Sequence, residues 1–293
     1  MKKIKETDFR VRPGSTVKLD KWPTAVEPFY NDKLDYQTQL EKQVETLRKL
    51  QPKLYADNRY ALLIIFQAMD AAGKDGAIKH IMSGVNPQGV SVTSFRHPGP
   101  DVLAHDFLRH AMRMLPERGR IGIFNRSYYE EVLIVRVHPE LLAAESLPQE
   151  TVTDGSIWKA RFRSIRALEK HLHANGTRIL KFFLHISKEE QRKRFLARLE
   201  DPEKNWKFKD ADVQERNYWP KYMSAYETCL GETSAKSAPW FVIPADDKQN
   251  ARLIISKIMI EALRALPIDF PKVDAKRRKE LRAFRRMLSD NDS

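Results

Sequence analysis

Apolar positions along the chain follow two patterns, short apolar segments and stripes spaced three or four residues apart. Five short segments are each long enough for one buried strand and too short for a core helix. They cover residues 62–66, 90–95, 120–124, 178–184 and 240–243. Because stretches with helical spacing separate them, the pattern predicts a parallel sheet with helices on both faces.

The stretches between these segments have the spacing of amphipathic helices. One apolar stripe predicts a helix that Pro52 ends or bends, and its members are Leu40, Val44, Leu47, Leu50 and Leu54. Asp101 is expected to cap a helix that runs to about residue 114, and Ser187 with Glu190 forms a capping-box pattern. Further helices are predicted over 75–83, from 128 onward, over 157–174, over about 213–230, up to 266 and in the tail.

The two ends of the chain differ from its middle. Residues 1–30 contain Pro13, Pro23 and Pro28 and show little periodicity, so we expect an extended arm packed over the domain. Residues 272–293 form a basic tail. Because no repeat, low-complexity tract or linker-like segment divides the sequence, residues 1–293 are expected to form a single domain.

The stretch 62–76, LLIIFQAMDAAGKDG, combines a predicted strand, small residues, a lysine and a helix start. In a phosphate-binding loop of this layout, backbone N–H groups at a helix N-terminus face an anion and the lysine adds a cation. The match to G-x-x-x-x-G-K-[ST] is imperfect, because Ala68 replaces the first glycine and Asp75 replaces the hydroxyl residue. The alternative is a plain turn with a solvated Lys74, and the strand and helix around it favour phosphate binding.

Two acidic residues flank this loop. A magnesium ion explains carboxylates at an anion site, because it binds one or two of them together with substrate phosphates. We assign Asp70 to the metal. Asp75 is left open between that role and stabilisation of the helix start, where a negative charge is favourable.

A second polar group, Asn125-Arg126-Ser127, follows the third predicted strand. Ligands of open α/β sheets bind at the carboxyl ends of the strands. We therefore expect Asn125 and Arg126 to share one edge of the sheet with Asp70 and Lys74.

The composition limits the class of protein. Apolar residues make up 42% of the chain and charged residues 31%, which is typical of a soluble globular protein. Neither a membrane span nor a secretory signal is expected, because no apolar run approaches the required length. The single cysteine, Cys229, excludes an intramolecular disulfide and fits a reducing, cytoplasmic location.

The chain is strongly basic. Lysine and arginine number 52 against 39 acidic residues, a net charge of +13. This excess implies an anionic partner, and charge alone leaves open whether it is nucleic acid, an anionic membrane or a polyanionic substrate. Part of the excess lies in the stretch 272–286 and needs no partner.

The helix after the fourth predicted strand is basic as well. Its basic residues include Arg192, Lys193, Arg194 and Arg198. Arg194 and Arg198 share one face because they are four residues apart. Such a helix is usually a solvated surface, but at this place nucleotide kinases have a mobile lid whose arginines close over the transferring phosphoryl group. We expect a lid over about 187–230, in which Trp206 and Phe208 either stack on a base or anchor the closed lid.

Six segments together resemble the polyphosphate kinase 2 family. In chain order they are FQAMDAAGKDG (66–76), NPQGVSVTSF (86–95), GIFNRSYYEEVL (122–133), KFFLHISKEEQRKRF (181–195), NWKF (205–208) and APWFVIPADDK (238–248). The resemblance implies a three-layer α/β/α P-loop kinase fold, thymidylate-kinase-like, with a parallel five-stranded sheet and a helical lid. It also implies reversible transfer of the terminal phosphoryl group of inorganic polyphosphate to ADP, with Mg²⁺ or Mn²⁺ as cofactor. Assembly as a homodimer or homotetramer is implied too.

The resemblance also implies roles for single residues. Polyphosphate would be held by Ala72, Gly73, Lys74, Asp75, Gly76, Arg194 and Arg198. Catalysis would involve Asp70, Lys74, Asn125 and Arg126, with Asp70 as the metal ligand. The nucleotide would contact Asn86, Pro87, Phe95, Arg96 and Asn125.

Two positions depart from the family pattern. Many members have aspartate where this chain has Asn125, and the asparagine form resembles the class III subgroup, which phosphorylates both AMP and ADP. Removing a carboxylate lessens repulsion toward an acceptor phosphate and weakens one metal site. The family often has Trp-Arg where this chain has Arg109-His110, so the acceptor contacts of that helix are not carried over.

Two other functions are compatible with parts of this pattern. An ATP-dependent nucleoside monophosphate kinase would share the fold but would need a pocket for the donor's base, whereas a polyphosphate user needs a long cationic channel. A basic nucleic-acid-binding protein lacks support from any recognition motif. We expect AMP, ADP and ATP as ligands, with guanine nucleotides as further candidates, and neither nucleic acid nor a membrane as a partner.

Overall fold

The computed structural model describes residues 3–95, 99–153, 155–208 and 210–290. Within these residues, five strands form one parallel sheet in the order β2-β3-β1-β4-β5. In chain order they are β1 (Ala61–Ala68), β2 (Val90–Ser94), β3 (Ile121–Asn125), β4 (Thr177–His185) and β5 (Trp240–Pro244). The predicted five strands and their parallel arrangement are confirmed.

Helices in the described residues lie mainly between the strands. They are α1 (Lys33–Asp57), α2 (Lys74–Ile81), α3 (Pro100–Leu103), α4 (Arg109–Met112), α5 (Ile134–Val137), α6 (Glu140–Ala143), α7 (Gln149–Thr153), α8 (Ile157–Ala174), α9 (Lys188–Glu200), α10 (Asp210–Glu215), α11 (Trp219–Thr233), α12 (Lys248–Arg264) and α13 (Ala275–Asp290). The amphipathic pattern predicted the bounds of α8, and α13 is the predicted helical tail. In the described part of the chain, no helix combines the length and apolar character needed to cross a membrane.

β1 lies at the centre of the sheet, between β3 and β4. Residues 61–67 are buried, which explains the continuous apolar run: helices cover both faces of this strand. The register pairs Phe66 with Asn125 on β3 and Ala68 with Leu184 on β4. The segments that follow these strands therefore meet at one edge of the sheet.

A buried ion pair holds α8 against the sheet. Lys181 of β4 donates to Glu169 of α8 at 2.7 Å and to the Tyr129 hydroxyl at 2.9 Å. Burial lowers the pKa of Lys181, and the charge of Glu169 opposes that shift. Removing one partner of such a pair is strongly destabilising, so this contact serves stability.

The N-terminal arm packs on the sheet, as the sequence predicts. Phe9, Val11 and Leu19 are buried in the core. The Val11 amide donates to the Trp240 carbonyl at 2.9 Å. The Val242 amide donates to the Phe9 carbonyl at 2.8 Å. These bonds cover the edge of β5, which otherwise would be open to pairing with another chain.

Two predictions made from single residues need correction: of the two effects expected of Pro52, the end of the helix is excluded, and the helix predicted after Asp101 is not continuous. Pro52 does not end α1, which continues to Asp57, because the apolar stripe packs along α12 and outweighs one lost hydrogen bond. The helix expected over 101–114 is divided into α3 and α4, and Asp101 lies inside α3 instead of capping it. The Asp106 carboxylate accepts a bond from the Leu108 amide at 3.0 Å, which gives the backbone a turn in place of a continuous helix.

Two further predicted helices are interrupted. The segment after β3 starts as a 3₁₀-helix (Tyr128–Val132), and α5 follows only after Leu133, which leaves the helical region with φ −113° and ψ −83°. The helix expected over 213–230 consists of α10, a 3₁₀ turn and α11. Pro220 lies in the first turn of α11, where its missing N–H is tolerated, so the helix restarts there.

The predicted capping box at α9 is only half formed. The Ser187 hydroxyl accepts a bond from the Glu190 amide at 3.0 Å, as predicted. The Glu190 carboxylate does not return the bond, because it accepts from Arg194 at 2.8 Å. The Ser187 amide donates instead to Asp246 at 2.8 Å, which ties the start of α9 to the loop after β5.

Candidate active site

A cavity of about 750 Å³ opens at the carboxyl edge of the sheet, where β1 and β3 end. Lys74 and Asp70 line the same space, as the sequence analysis requires. The predicted site residues in its lining are Asp70, Ala72, Gly73, Lys74, Asp75, Gly76, Phe95, Asn125, Arg126, Arg194 and Arg198. The fold therefore brings most of the predicted site together.

The segment between β1 and α2 has the backbone of a phosphate-binding loop. Ala71 and Gly73 have left-handed angles, with φ of 61° and 104°. Glycine adopts this conformation without strain, whereas alanine does not. Gly73 is the N-cap residue of α2, so that helix begins at the cavity. Lys74 Nζ donates to the Ala68 carbonyl at 3.2 Å. Ala68, which replaces the first glycine of the motif, therefore contacts the lysine through its backbone.

Arg126 links the ends of β3 and β1. Its guanidinium donates to the Asp70 carboxylate at 3.1 Å, and its amide donates to the Phe66 carbonyl at 3.0 Å. Its backbone is also left-handed, with φ of 64°. Such a conformation costs a non-glycine residue about 1–3 kcal/mol and is concentrated at functional sites. The fold thus fixes Arg126 beside the phosphate loop.

Asn125 contacts the other side of the loop. Its side-chain amide donates to the Asp75 carboxylate at 2.6 Å. Asp75 lies in the first turn of α2, where a negative charge is favourable. This position and this bond fit the interpretation of Asp75 as a residue that stabilises the helix start.

The ionisable groups around the loop have perturbed pKa values. Burial lowers the pKa of Lys74, and the charge of Asp70 opposes this shift. Burial raises the pKa of Glu130, and Arg126 and Lys74 oppose this rise. The sequence analysis missed Glu130, whose only signal is its place four residues after Arg126. Strong perturbation in a cleft is typical of a functional site.

The protein groups at this edge of the sheet fit a metal ion that takes only part of its ligands from the protein and the rest from phosphate. Among the residues that the structure describes, no group of three or more histidine, cysteine, aspartate or glutamate side chains is arranged to hold a metal ion. A metal here would be bound by Asp70 together with phosphate oxygens and water, as Mg²⁺ often is. One Asp70 oxygen accepts the bond from Arg126, and a carboxylate has acceptor capacity left beyond that bond.

Arg194 lies beside the loop but does not present its donors to the cavity. A guanidinium has five N–H donors. Those of Arg194 bond to the Glu190 carboxylate and to the carbonyls of Ala71, Ala72, Ala245 and Asp246. The expectation that Arg194 and Arg198 act alike needs correction, because spacing on a helix does not show which groups lie opposite each residue.

Other cations do line the cavity. The Arg198 side chain is 26% exposed and faces it. Lys204, Lys248 and Arg252 line it too, and the sequence analysis missed all three. Burial and then nearby cations lower the pKa of Lys248, which shows how closely these charges are grouped. The signal for Lys248 and Arg252 was a basic helix start directly after the last strand.

The residues predicted to bind the nucleotide are only partly together. Phe95, directly after β2, lines the cavity and packs edge-on against His110 at 5.3 Å between ring centroids. Arg96 lies outside the described residues. Asn86 and Pro87 need correction, because they precede β2 and therefore lie at the amino edge of the sheet, opposite the cavity. The Asn86 side chain caps the turn there with a bond of 3.0 Å.

A small second cavity of about 90 Å³ lies beside Phe95 and Arg126. Glu131 and Glu145 line it, and Arg161 donates to both carboxylates, at 3.1 Å to Glu131. Burial and the charge of Glu145 raise the pKa of Glu131 to about 7. The charge beside this cavity therefore changes near neutral pH.

The two aromatic residues of the predicted lid lie differently. Trp206 is 73% exposed, and its indole N–H donates to the Glu203 carbonyl at 2.9 Å. Phe208 packs edge-on against Phe195 of α9 at 5.7 Å between ring centroids. This contact favours the role of a lid anchor for Phe208.

Comparison with known proteins relates the chain to one family. A family model described as polyphosphate kinase 2 matches residues 30–271. An ADP-polyphosphate phosphotransferase from Rhodopseudomonas palustris is 60% identical over 286 residues, 98% of this chain and 99% of that protein. An AMP/ADP-polyphosphate phosphotransferase from Meiothermus ruber is 42% identical over 265 residues, 90% of this chain and 95% of that protein. A crystal structure of polyphosphate kinase 2 from Arthrobacter aurescens TC1 matches with a TM-score of 0.83 at 38% identity, over 94% of this chain and 95% of that one.

Proposed function

The chain belongs to the polyphosphate kinase 2 family, and we propose that it transfers the terminal phosphoryl group of inorganic polyphosphate to both ADP and AMP. It is an enzyme, a polyphosphate-dependent nucleotide kinase. The alternative, an ATP-dependent nucleoside monophosphate kinase, is not favoured, because relatives that match nearly the whole chain are named for polyphosphate.

The observation that carries the proposal is the cationic lining of the cavity around the phosphate loop. Lys74 and Arg126 lie at the loop, and Arg198, Lys204 and Arg252 line the same space. A polyphosphate chain is charged along its whole length, so a group of cations along one cleft suits it better than a pocket for a base.

Positioning and charge stabilisation do most of the catalytic work in phosphoryl transfer, because the transition state is loose. We assign the donor phosphate to Lys74 and the amides at the start of α2, because Lys74 lines the cavity and the helix begins there. We assign Arg126 to the group in transfer, and its bond to Asp70 at the cavity supports that role. The attacking oxygen belongs to a nucleotide phosphate, which is largely ionised at neutral pH. The site therefore needs no general base.

We propose Mg²⁺ as the divalent metal, with Mn²⁺ as an alternative, and Asp70 as its protein ligand. Bound there, the metal would neutralise charge on the phosphate oxygens. Asp70 also orients Arg126, so its carboxylate serves the protein cation and the metal from one position.

The proposed use of both AMP and ADP rests on Asn125. A neutral side chain at this place repels an acceptor phosphate less than a carboxylate does. The two relatives differ in this respect: the Rhodopseudomonas palustris protein is named for ADP, and the Meiothermus ruber protein for AMP and ADP. Guanine nucleotides belong in the same test as further acceptors.

We propose that the enzyme works in the cytoplasm as a homodimer or homotetramer. Three apolar side chains of α13 recur at helical spacing and are 44–73% exposed; they are Leu281, Phe284 and Leu288. A partner copy is a reasonable cover for such a stripe. The proposed substrates, AMP and ADP, support the cytoplasmic location.

A donor and acceptor panel tests the proposed function. The purified protein is incubated with Mg²⁺, with AMP, ADP, GMP or GDP, and with either polyphosphate or ATP as the donor. We expect ADP to form from AMP, and ATP from ADP, when polyphosphate is the donor. Phosphorylation of AMP by ATP but not by polyphosphate would support the alternative kinase instead.

A further inference from the structure

Arg194 of α9 connects the two loops that follow β1 and β5. Its Nη1 atom donates to the carbonyls of Ala71 and Ala72, at 3.1 and 2.8 Å. Its Nη2 atom donates to the carbonyls of Ala245 and Asp246, at 2.6 and 2.9 Å. One guanidinium thus joins the phosphate loop, which follows β1, to the loop that follows β5.

All five N–H donors of this guanidinium are used by the protein. The fifth, Nε–H, donates to the Glu190 carboxylate one turn earlier, at 2.8 Å. The Arg194 side chain is 7% exposed. A phosphate that took one of these donors would leave a buried carbonyl without its partner, which is unfavourable. Arg198, one turn later, instead faces the cavity.

Gln191 extends the same contact by one residue. Its Nε2 donates to the Asp70 carbonyl at 3.0 Å, and its Oε1 accepts from Arg216 at 2.8 Å. The helix α9 therefore holds three consecutive carbonyls of the loop, from Asp70 onward. Because a trans peptide directs its N–H opposite to its C=O, we infer that the amides of Ala71 and Gly73 face away from α9, whereas the Ala72 amide donates to the Met69 carbonyl at 3.3 Å.

We propose that Arg194 is a positioning residue, which keeps the phosphate loop in its anion-binding conformation and does not itself bind phosphate. Ala71 supports this role, because its left-handed backbone is unfavourable for alanine and its own carbonyl accepts one of the Arg194 bonds. Arg194 lies on the lid helix, so the position of that helix and the shape of the loop are coupled. The inference rests on the proposed function for the identity of the anion, polyphosphate.

Arg194→Lys tests the role in transfer from polyphosphate to ADP. Lysine keeps the charge but has three donors on one atom, so it cannot bridge two pairs of carbonyls. We expect kcat to fall about a hundredfold, as it does when a reacting group is misplaced. In Arg194→Gln, which removes the charge, the slope of log KM for polyphosphate against log salt should stay as in the wild type, because Arg194 makes no phosphate contact. Arg192→Lys, on the exposed side of the same helix, is the matched control and should keep wild-type kinetics.

Two results of this experiment would overturn the positioning role. One is a kcat of Arg194→Lys within about threefold of the Arg192→Lys value, far from the expected effect. The other is a salt slope for Arg194→Gln, which removes the charge, that is smaller than the wild-type slope by about one, since the loss of a direct phosphate contact lowers the slope by that amount.

A rescue experiment separates loop geometry from a general loss of stability. Ala71→Gly removes the penalty of the left-handed backbone. If Arg194 acts by holding that conformation, Ala71→Gly should raise the kcat of Arg194→Lys by about fivefold. It should not raise the kcat of Arg198→Ala. A rise of the same size in both backgrounds, or in neither, would contradict the proposal.

A measurement without substrate separates this inference from the proposed function. Hydrogen exchange of the amides over residues 69–77 should be faster in Arg194→Lys than in the wild type and in Arg192→Lys. Equal exchange in all three proteins would overturn the positioning role, even where polyphosphate transfer is confirmed. Faster exchange in a protein that fails to use polyphosphate would support the positioning role and overturn only the proposed donor.

Discussion

The side-chain amide of Asn125 donates a hydrogen bond of 2.6 Å to the Asp75 carboxylate, and so joins the end of β3 to the first turn of α2. Each residue departs from a sequence pattern: Asp75 replaces the hydroxyl residue of the phosphate-loop motif, and Asn125 replaces the aspartate of many family members. An aspartate at 125 would face Asp75 with a like charge. In this chain the Asn125 amide therefore pairs with the Asp75 carboxylate without a contact between like charges.

This pair predicts the effect of Asn125→Asp on acceptor choice. Two carboxylates at this distance repel each other, and they also repel the acceptor phosphate. Because we attribute the use of AMP to the neutral Asn125, this repulsion should reduce the use of AMP more than that of ADP. We expect the ratio of kcat/KM for AMP to that for ADP to fall about tenfold, which corresponds to about 1.4 kcal/mol. Steady-state kinetics with both acceptors measures this ratio.

The double variant Asn125→Asp with Asp75→Asn is the matched control for that prediction. It exchanges the amide and the carboxylate, so one donor and one acceptor still face each other. The AMP to ADP ratio should stay low in this variant, because a carboxylate still occupies position 125 and faces the acceptor phosphate. A return to the wild-type ratio would assign the effect to the contact with residue 75 instead. A ratio that Asn125→Asp leaves unchanged would remove Asn125 from the account of selectivity.

Lys74→Met is expected to abolish most phosphoryl transfer without unfolding the protein. Lys74 lines the cavity and contributes charge there, so its loss should lower kcat at least about a thousandfold, while the melting temperature changes by less than about 3 °C. Lys79→Met is the control, because Lys79 is exposed on the same helix outside the cavity lining. Near-normal turnover of Lys74→Met would contradict the assigned phosphate site.

Arg198→Ala should weaken polyphosphate binding in a salt-dependent way. Arg198 faces the cavity, and removing one cation from a polyanion contact lowers the slope of log affinity against log salt by about one. Arg192→Ala, whose side chain pairs with Glu189 on the exposed side of α9, should keep the wild-type slope. Identical slopes in both variants would place Arg198 outside the polyphosphate contact.

Glu131 predicts how stability depends on pH. Burial and Glu145 raise its pKa in the folded protein to about 7, above its ordinary value of 4.5. The folded state therefore binds a proton that the unfolded state has released between these values, so this group makes stability fall as pH rises from about 4.5 to about 7. Glu131→Gln should remove that loss and stabilise the protein more at pH 8 than at pH 5, by an amount of about 1–3 kcal/mol.

Urea unfolding of Glu131→Gln and the wild type at pH 5 and pH 8 measures this difference. Glu145→Gln is a useful second variant, because it removes the charge that helps to raise the pKa of Glu131. A gain of equal size at both pH values would show that Glu131 keeps its charge across this range.

Local patterns were enough to predict the strands and the phosphate loop. β1 is buried on both faces, so its sequence is a continuous apolar run, and α8 covers one face of the sheet, so its stripe gave its bounds. Lys74 and Arg126 could be placed together because residues that follow parallel strands meet at one edge.

The rest of the site depends on contacts that no local pattern records. The spacing of Arg194 and Arg198 gives them a common face, but carbonyls from two distant loops use up the donors of Arg194 alone. Asn86 and Pro87 were assigned from a resemblance between segments, which ignores the edge of the sheet at which they lie. Lys204, in the segment after α9, and Arg252 of α12 line the cavity because these two elements pack around it.

The most direct test of the central claim is ³¹P NMR of the purified protein with Mg²⁺, polyphosphate and ADP. The account predicts that γ-phosphate signal of ATP appears in step with the shortening of the polyphosphate chain, and that Lys74→Met removes both changes. ATP that forms equally in the Lys74→Met variant, or no ATP at all in the wild type, would contradict it.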